Sequence, residues 1–374
     1  MNEPPLPILA AEAPREAEEL YIELLALPPV SRRRALRQSR FQNPALLDLL
    51  LDGAEDAGRR GAFHLADELA RFSSDLVYLV EAEESWFEIR RSRAFCLMGN
   101  ARRIAGDFAA AEDAFGEAAK CQAGGLEQAA CCRGMALVCW ETCLHAFAAA
   151  LLGQAAKLFW VRRQRHEAGA CLTLLGMLYL EEGSFEKALR PLLRGRRLLN
   201  PEARPWLTVR CFLSSALALA VSGRTGEARE ALEHSAPFYS LVYETEEKET
   251  SVIPWLEGRI ASYLGDLEHA RDRLETARER FLGERRYAEA GAATLDLVAI
   301  YTELGSDPKV DEVIEELRWA FPHSLIWPAE PLFDVVARFK DIVAPPRARA
   351  AVLSAKLFHL ARLLHRSLWP LPWV

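Results

Sequence analysis

A glycine turn that returns about every 40 residues constrains this chain of 374 residues more than any other feature. Gly61-Ala-Phe63 stands before Ala66, Gly106-Asp-Phe108 before Ala111, and Gly183-Ser-Phe185 before Ala188. Gly265-Asp-Leu267 before Ala270 and Gly223 before Ala228 repeat the device. Two degenerate copies, His145-Ala-Phe147 before Ala150 and Gly305 before Val310, complete a series at 61, 106, 145, 183, 223, 265 and 305. Glycine admits the left-handed backbone that ends one helix, and an Asp or Ser after it suits the N-cap of the next. The small residue that follows lets the two helices of a hairpin approach closely. One such hairpin cannot bury its own apolar stripe, so the pattern demands a stack of similar neighbours.

The stretch 172–201, LTLLGMLYLEEGSFEKALRPLLRGRRLLNP, shows the unit most fully. Leu172, Leu175, Gly176 and Tyr179 fall at i, i+3, i+4 and i+7 of one helix, and Ala188 and Leu192 follow the turn on a second. The order Leu-x2-Leu-Gly-x2-Tyr, Gly-x-Phe-x2-Ala-x3-Leu and the closing Pro201 resembles a tetratricopeptide repeat (TPR). Pro191 departs from the pattern and is expected to kink the second helix. This resemblance spans the repeat series of residues 61–320. It implies an all-α fold, a right-handed α-solenoid of TPR-like hairpins whose period of about 40 exceeds the family's usual 34 or so. The extra residues are expected in helices of about 16–18 residues. Trp255-Leu-Glu-Gly-Arg-Ile260 and Leu295-Asp-Leu-Val298 through Tyr301 are also similar to the longer helical-repeat arrays of bacterial regulators. In those arrays the repeats sit behind a helix-turn-helix or zinc module, and the first 60 residues here show neither signature.

Four stretches are expected along the chain: a flexible lead-in (1–13), N-terminal helices (14–60), the TPR-like array (61–320), and capping helices with a Trp/Pro tail (321–374). Five arginines between Ser31 and Arg40 fit a solvated helical face or a patch for an acidic partner; no aromatic residue is interleaved for base stacking. The acidic stretch 239–251 reads as a linker or extended first turn. Two helices, about 332–343 and 347–366, stand where a cap would cover the last open face. In the second, Val352, Leu353, Leu357, Leu360, Leu363 and Leu364 are expected on one face, with Arg349, Lys356, Arg362 and Arg366 largely opposite. The tail Leu368-Trp-Pro-Leu-Pro-Trp-Val374 either folds back on the array or engages another molecule or a membrane surface.

Hydrophobic residues at 51% and charged residues at 26% describe a well-packed soluble chain. A net charge of −7 and a pI near 5.8 make nucleic acid an unlikely partner. The acidic, proline-rich start lacks the marks of an export signal, and the most apolar window, 135–152, is interrupted by Glu141 and His145. A cytoplasmic protein without a membrane span is therefore expected. The eight cysteines lie mostly within apolar helical segments and form no disulfide framework. Cys132, Cys139 and Cys143 share a helix face near His145, which suggests a metal site; buried cysteines acting as small apolar residues are the plainer reading. No second closely spaced pair completes a zinc site, and no cofactor is expected.

No phosphate-binding loop, nucleophile elbow or His-Glu-x2-His motif is present, so the chain is not expected to be an enzyme. In the TPR family the first helix of each hairpin lines a concave groove. Matched to that pattern, the inward positions are Arg93, Cys96, Asn100 and Arg103, then Thr173 and Met177, then Arg210. Trp255, Arg259, Ser262 and Tyr263 follow, and then Leu295, Ala299 and Thr302. From these the resemblance implies a peptide- or partner-binding set of Arg93, Asn100, Arg103, Met177, Arg210, Trp255, Arg259 and Tyr263. The family's carboxylate-binding groove is matched only at Asn100, so capture of a chain terminus is not expected. Trp255-Leu-Glu-Gly258 departs by one place from the family order, which leaves Trp255 facing either groove or core. The expected function is a non-catalytic adaptor that binds a peptide or helix of a partner protein in the groove. The alternative is a regulatory sensor subunit that switches an associated effector in signalling, transcription or phage defence.

Overall fold

The computed structural model describes residues 15–245, 250–320 and 344–364; the expected lead-in, the helix at 332–343 and the tail lie outside them. Every regular element among the described residues is helical. Two compact units meet in sequence at Arg162 and Arg163.

The first unit opens with α1 (Arg15–Ala26) and the short α2 (Pro29–Ala35), then forms three hairpins. These are α3 (Pro44–Arg59) with α4 (Phe63–Leu76), α5 (Glu84–Ile104) with α6 (Phe108–Lys120), and α7 (Gly125–Glu141) with α8 (His145–Val161). Three of the five clustered arginines are taken up by acids within the unit. Arg32 meets Glu68 at 3.0 Å, Arg33 meets Asp75 at 2.7 Å, and Arg40 meets Glu23 at 3.0 Å.

In the second unit the hairpins are α9 (Arg165–Glu181) with α10 (Phe185–Arg196) and α11 (Pro205–Val221) with α12 (Thr225–Glu233). After α13 (Tyr239–Thr245), in the stretch read as a linker, come α14 (Val252–Leu264) with α15 (Leu267–Gly283) and α16 (Tyr287–Glu303) with α17 (Asp307–Ala320). The last described element is α18 (Pro346–Leu364). α10 passes through Pro191 as one helix. The expected helix length is met by α7, α8, α9, α11, α15 and α16, each of 17 residues, whereas α14 has 13 and α10 has 12.

The turn device is visible atom by atom. Gly106 and Gly265 have φ of 81° and 85°, and the N–H of the next residue reaches back to close the helix: Asp107 to Arg102 O and Asp266 to Ala261 O, both at 3.0 Å. The same aspartates then cap the following helix by accepting from the N–H groups of Ala110 and His269. The degenerate copy at 145 needs correcting. The left-handed residue there is Cys143 (φ 63°), and Leu144 N–H donates to Cys139 O at 2.7 Å. The register therefore moves by two: Ala148 is the buried small residue, while Phe147 and Ala150 are exposed. A non-glycine in this conformation hid the turn. Close approach within a hairpin is best seen at Gly176, where a Cβ would stand 2.3 Å from Leu192 Cγ.

On α18 the buried stripe is Ala350, Leu353, Ser354 and Leu357, at i, i+3, i+4 and i+7. Val352, expected on the apolar face, is exposed because it lies a residue outside that stripe.

Candidate partner-binding surfaces

The first helix of each hairpin carries the expected site residues, and the two units use them differently. In the first unit, Arg93 on α5 bridges to Asp52 Oδ1 and Glu55 Oε2 on α3, each at 2.8 Å. One turn earlier Arg90 forks onto Asp48 at 2.9 and 3.0 Å, with its guanidinium 4.1 Å over the Trp86 ring. Together they form an ion-pair ladder between α3 and α5.

Asn100 and Arg103 are enclosed rather than presented. Arg103 Nη1 donates to Glu141 Oε1 on α7 at 2.6 Å, while Nε and Nη2 donate to Asn100 Oδ1 at 3.0 and 2.8 Å. Burial lowers the pKa of this guanidinium, and Glu141 acts against that shift. A charge held this deeply joins α5 to α7 and offers nothing to a ligand in this conformation. Among the described residues no three histidine, cysteine or acidic side chains gather into a metal-binding group, the set around Cys139 and Cys143 included.

In the second unit, Met177 and Thr173 on α9 are buried, the Thr173 hydroxyl donating to Gly169 O at 2.9 Å. Arg210 on α11 is half-buried. Trp255, Arg259 and Tyr263 follow one another at i, i+4 and i+8 on α14 and are brought together. The Nε1–H of Trp255 donates to Asp296 Oδ2 on α16 at 2.9 Å, and Arg259 Nε lies 3.5 Å from the same oxygen. The Arg259 guanidinium stands 5.3 Å from the Trp255 ring. Burial raises the Asp296 carboxyl, with Arg259 and the Trp255 N–H pulling the other way.

Trp255 is buried, with aromatic neighbours on two helices. Its ring stands edge-on to the buried Phe281 on α15 and tilted to Phe358 on α18, each with centroids 6.0 Å apart. α18 packs along α16 and touches α9. Its Arg347 donates through Nε to the Glu303 carboxylate at 2.8 and 3.1 Å and stands 5.5 Å from the Tyr263 ring. A helix that reaches α9, α14 and α16 lies across the side these first helices share. Asp296, Glu303, Arg347 and Phe358 escaped the sequence reading, although one signal was available. Trp255 and Asp296 are 41 residues apart, Arg93 and Asp52 also 41, and Arg103 and Glu141 38. Each bond thus spans about one repeat.

No helix among the described residues is long and apolar enough to cross a membrane. No protein-family model and no curated sequence matches the chain. Its fold is similar to that of a Rap protein complexed with Competence and Sporulation Factor, at 15% identity over 87% of this chain and 88% of that one, TM-score 0.58. It is also similar to aspartyl phosphate phosphatase F from Bacillus subtilis, at 13% identity over 84% and 86%, TM-score 0.57. A third similar structure is the apo form of the quorum sensor NprR from B. thuringiensis, at 12% identity over 79% and 82%, TM-score 0.55. At such identities the likeness is one of fold: the chain is an all-α, TPR-like helical-repeat protein.

Proposed function

We propose that this protein is a non-catalytic interaction regulator whose second unit binds a helix or peptide of a partner protein on the face formed by α9, α11, α14 and α16. The observation that carries this reading is α18. An amphipathic helix already lies against that face, with an apolar stripe at Leu353 and Leu357, an aromatic contact from Phe358 to Trp255, and a terminal Arg347–Glu303 pair. Helix-in-groove recognition uses the same parts: apolar anchors at helical spacing and a few charged contacts at the ends. A partner helix of similar chemistry would replace α18, which makes the face a site of exchange and suits a regulatory sensor. The similar structures support a regulatory reading, since one is named as a quorum sensor and another was solved with a bound factor.

A photo-cross-linking residue in the full chain tests this in the native cell. Placed at Tyr263 it should form an adduct with a protein, and placed at His269, on the outer side of α15, it should not. Adducts at His269 alone, or at neither position, would overturn the assignment.

A further inference from the structure

The helix α8 carries a second apolar surface that is left exposed among the described residues. Its core side is Ala148, Leu152, Ala155, Ala156 and Phe159, all buried against the first unit. Its outward side is also apolar: Leu144, Phe147 and Val161 are 46, 65 and 67% exposed. Phe147, Leu151, Gln154, Leu158 and Val161 succeed one another at alternating steps of four and three residues. That spacing is the heptad seam by which one helix docks on another, and it extends for about 21 Å at the helical rise.

Among the other second helices α4 shares it, with Leu65, Leu69, Phe72 and Leu76 at the equivalent positions, and there the stripe is packed into the first unit's core. At the same positions α10 has Lys187, the buried Pro191 and Arg194, and α15 presents His269, Arg273, Thr276 and Arg280. A solvated second helix in this fold is polar there. A helix apolar on every side is ordinarily one that is covered on every side.

The order of residues along the seam identifies what covers it. Gln154 stands midway, with Leu151 and Leu158 on either side and Phe147 and Val161 at the ends. We propose that α8 packs antiparallel against α8 of a second copy of this chain, about a two-fold axis at Gln154. The two Gln154 amides then pair reciprocally, each supplying a donor and an acceptor. Phe147 meets Val161 of the second copy, large against small, and Leu151 meets Leu158. Lys157, which makes no ion pair among the described residues, lies beside the small Ala150 of the second copy, so its aliphatic stem is covered without like charges opposing. α8 has no acidic residue to disturb the seam. One helix pair covers less than the roughly 1,600 Å² of a standard interface, so the dimer is concentration-dependent.

Sedimentation velocity of the full chain across micromolar concentrations tests the proposal. A reversible monomer–dimer transition is expected, weakened at least about tenfold by either Phe147→Glu or Gln154→Glu, each of which buries an unpaired charge. Both side chains are exposed in the single chain, so its thermal melt should not change. Gln154→Cys should give a cross-linked dimer on mild oxidation, and Lys187→Cys, at an outer position of α10, should not. A wild-type chain that stays monomeric, a dimer indifferent to both glutamate substitutions, or a monomer that takes up a different protein on α8 would overturn it.

Discussion

Glu141→Gln is expected to cost the first unit about 3 kcal/mol, and the reasoning starts from depth. The Arg103 side chain is 0% exposed and that of Glu141 3%, with their nearest nitrogen and oxygen 2.6 Å apart. A guanidinium there is tolerated only while a carboxylate faces it. Removing one member of a buried pair costs about 3–5 kcal/mol, chiefly because the other charge is left uncompensated. The amide retains an acceptor for Arg103 Nη1, which places Glu141→Gln near the lower end of that range. Arg103→Met strands Glu141 instead and is expected to cost a similar amount. In the double variant both charges leave together, so its cost should fall short of the sum by roughly 2 kcal/mol or more. Urea unfolding followed by circular dichroism supplies the free energies, and hydrogen exchange in α5 and α7 localises them, because two units can unfold separately. For a unit of this size a loss of 3 kcal/mol lowers the Tm by about 6–12 °C. The loss should persist in high salt, which screens a buried pair little. A Glu141→Gln penalty below about 1 kcal/mol, or strict additivity in the double variant, would refute the reasoning.

Two further outcomes follow from local geometry. Cys143→Gly should stabilise the first unit by up to about 1 kcal/mol, because a left-handed non-glycine costs about 1–2 kcal/mol and glycine returns part of this through unfolded-chain entropy; a lowered Tm would contradict it. Burial holds the Asp296 carboxyl above its ordinary 3.8, so the folded chain keeps a proton that the unfolded chain releases between 3.8 and the raised value. This residue therefore adds stability as the pH falls through that window and removes it as the pH rises. Melts of wild type and Asp296→Asn from neutral to acid pH should move in favour of wild type, and parallel curves would show that Asp296 is not shifted.

The helical-hairpin fold was legible in the chain because it is local. A turn glycine, the residue that caps the next helix and the small residue five places later all act within a few residues of one another, so Gly106, Asp107 and Ala111 announce their hairpin without any distant partner. Where a turn is built without its glycine, as at Cys143, the same local reading misplaced it by two residues. Side-chain placement depends on elements one repeat or more away, and there local pattern had no purchase. Arg103 matches an inward-facing position of the TPR family, and only the approach of α7, which brings Glu141 to it, turns it into a buried strut. Trp255, Arg259 and Tyr263 share one side of α14 by spacing alone. That Asp296 unites the first two, and that α18 meets Trp255 and Tyr263, was decided by how α16 and the C-terminal helix pack, because such contacts join residues that the chain order separates.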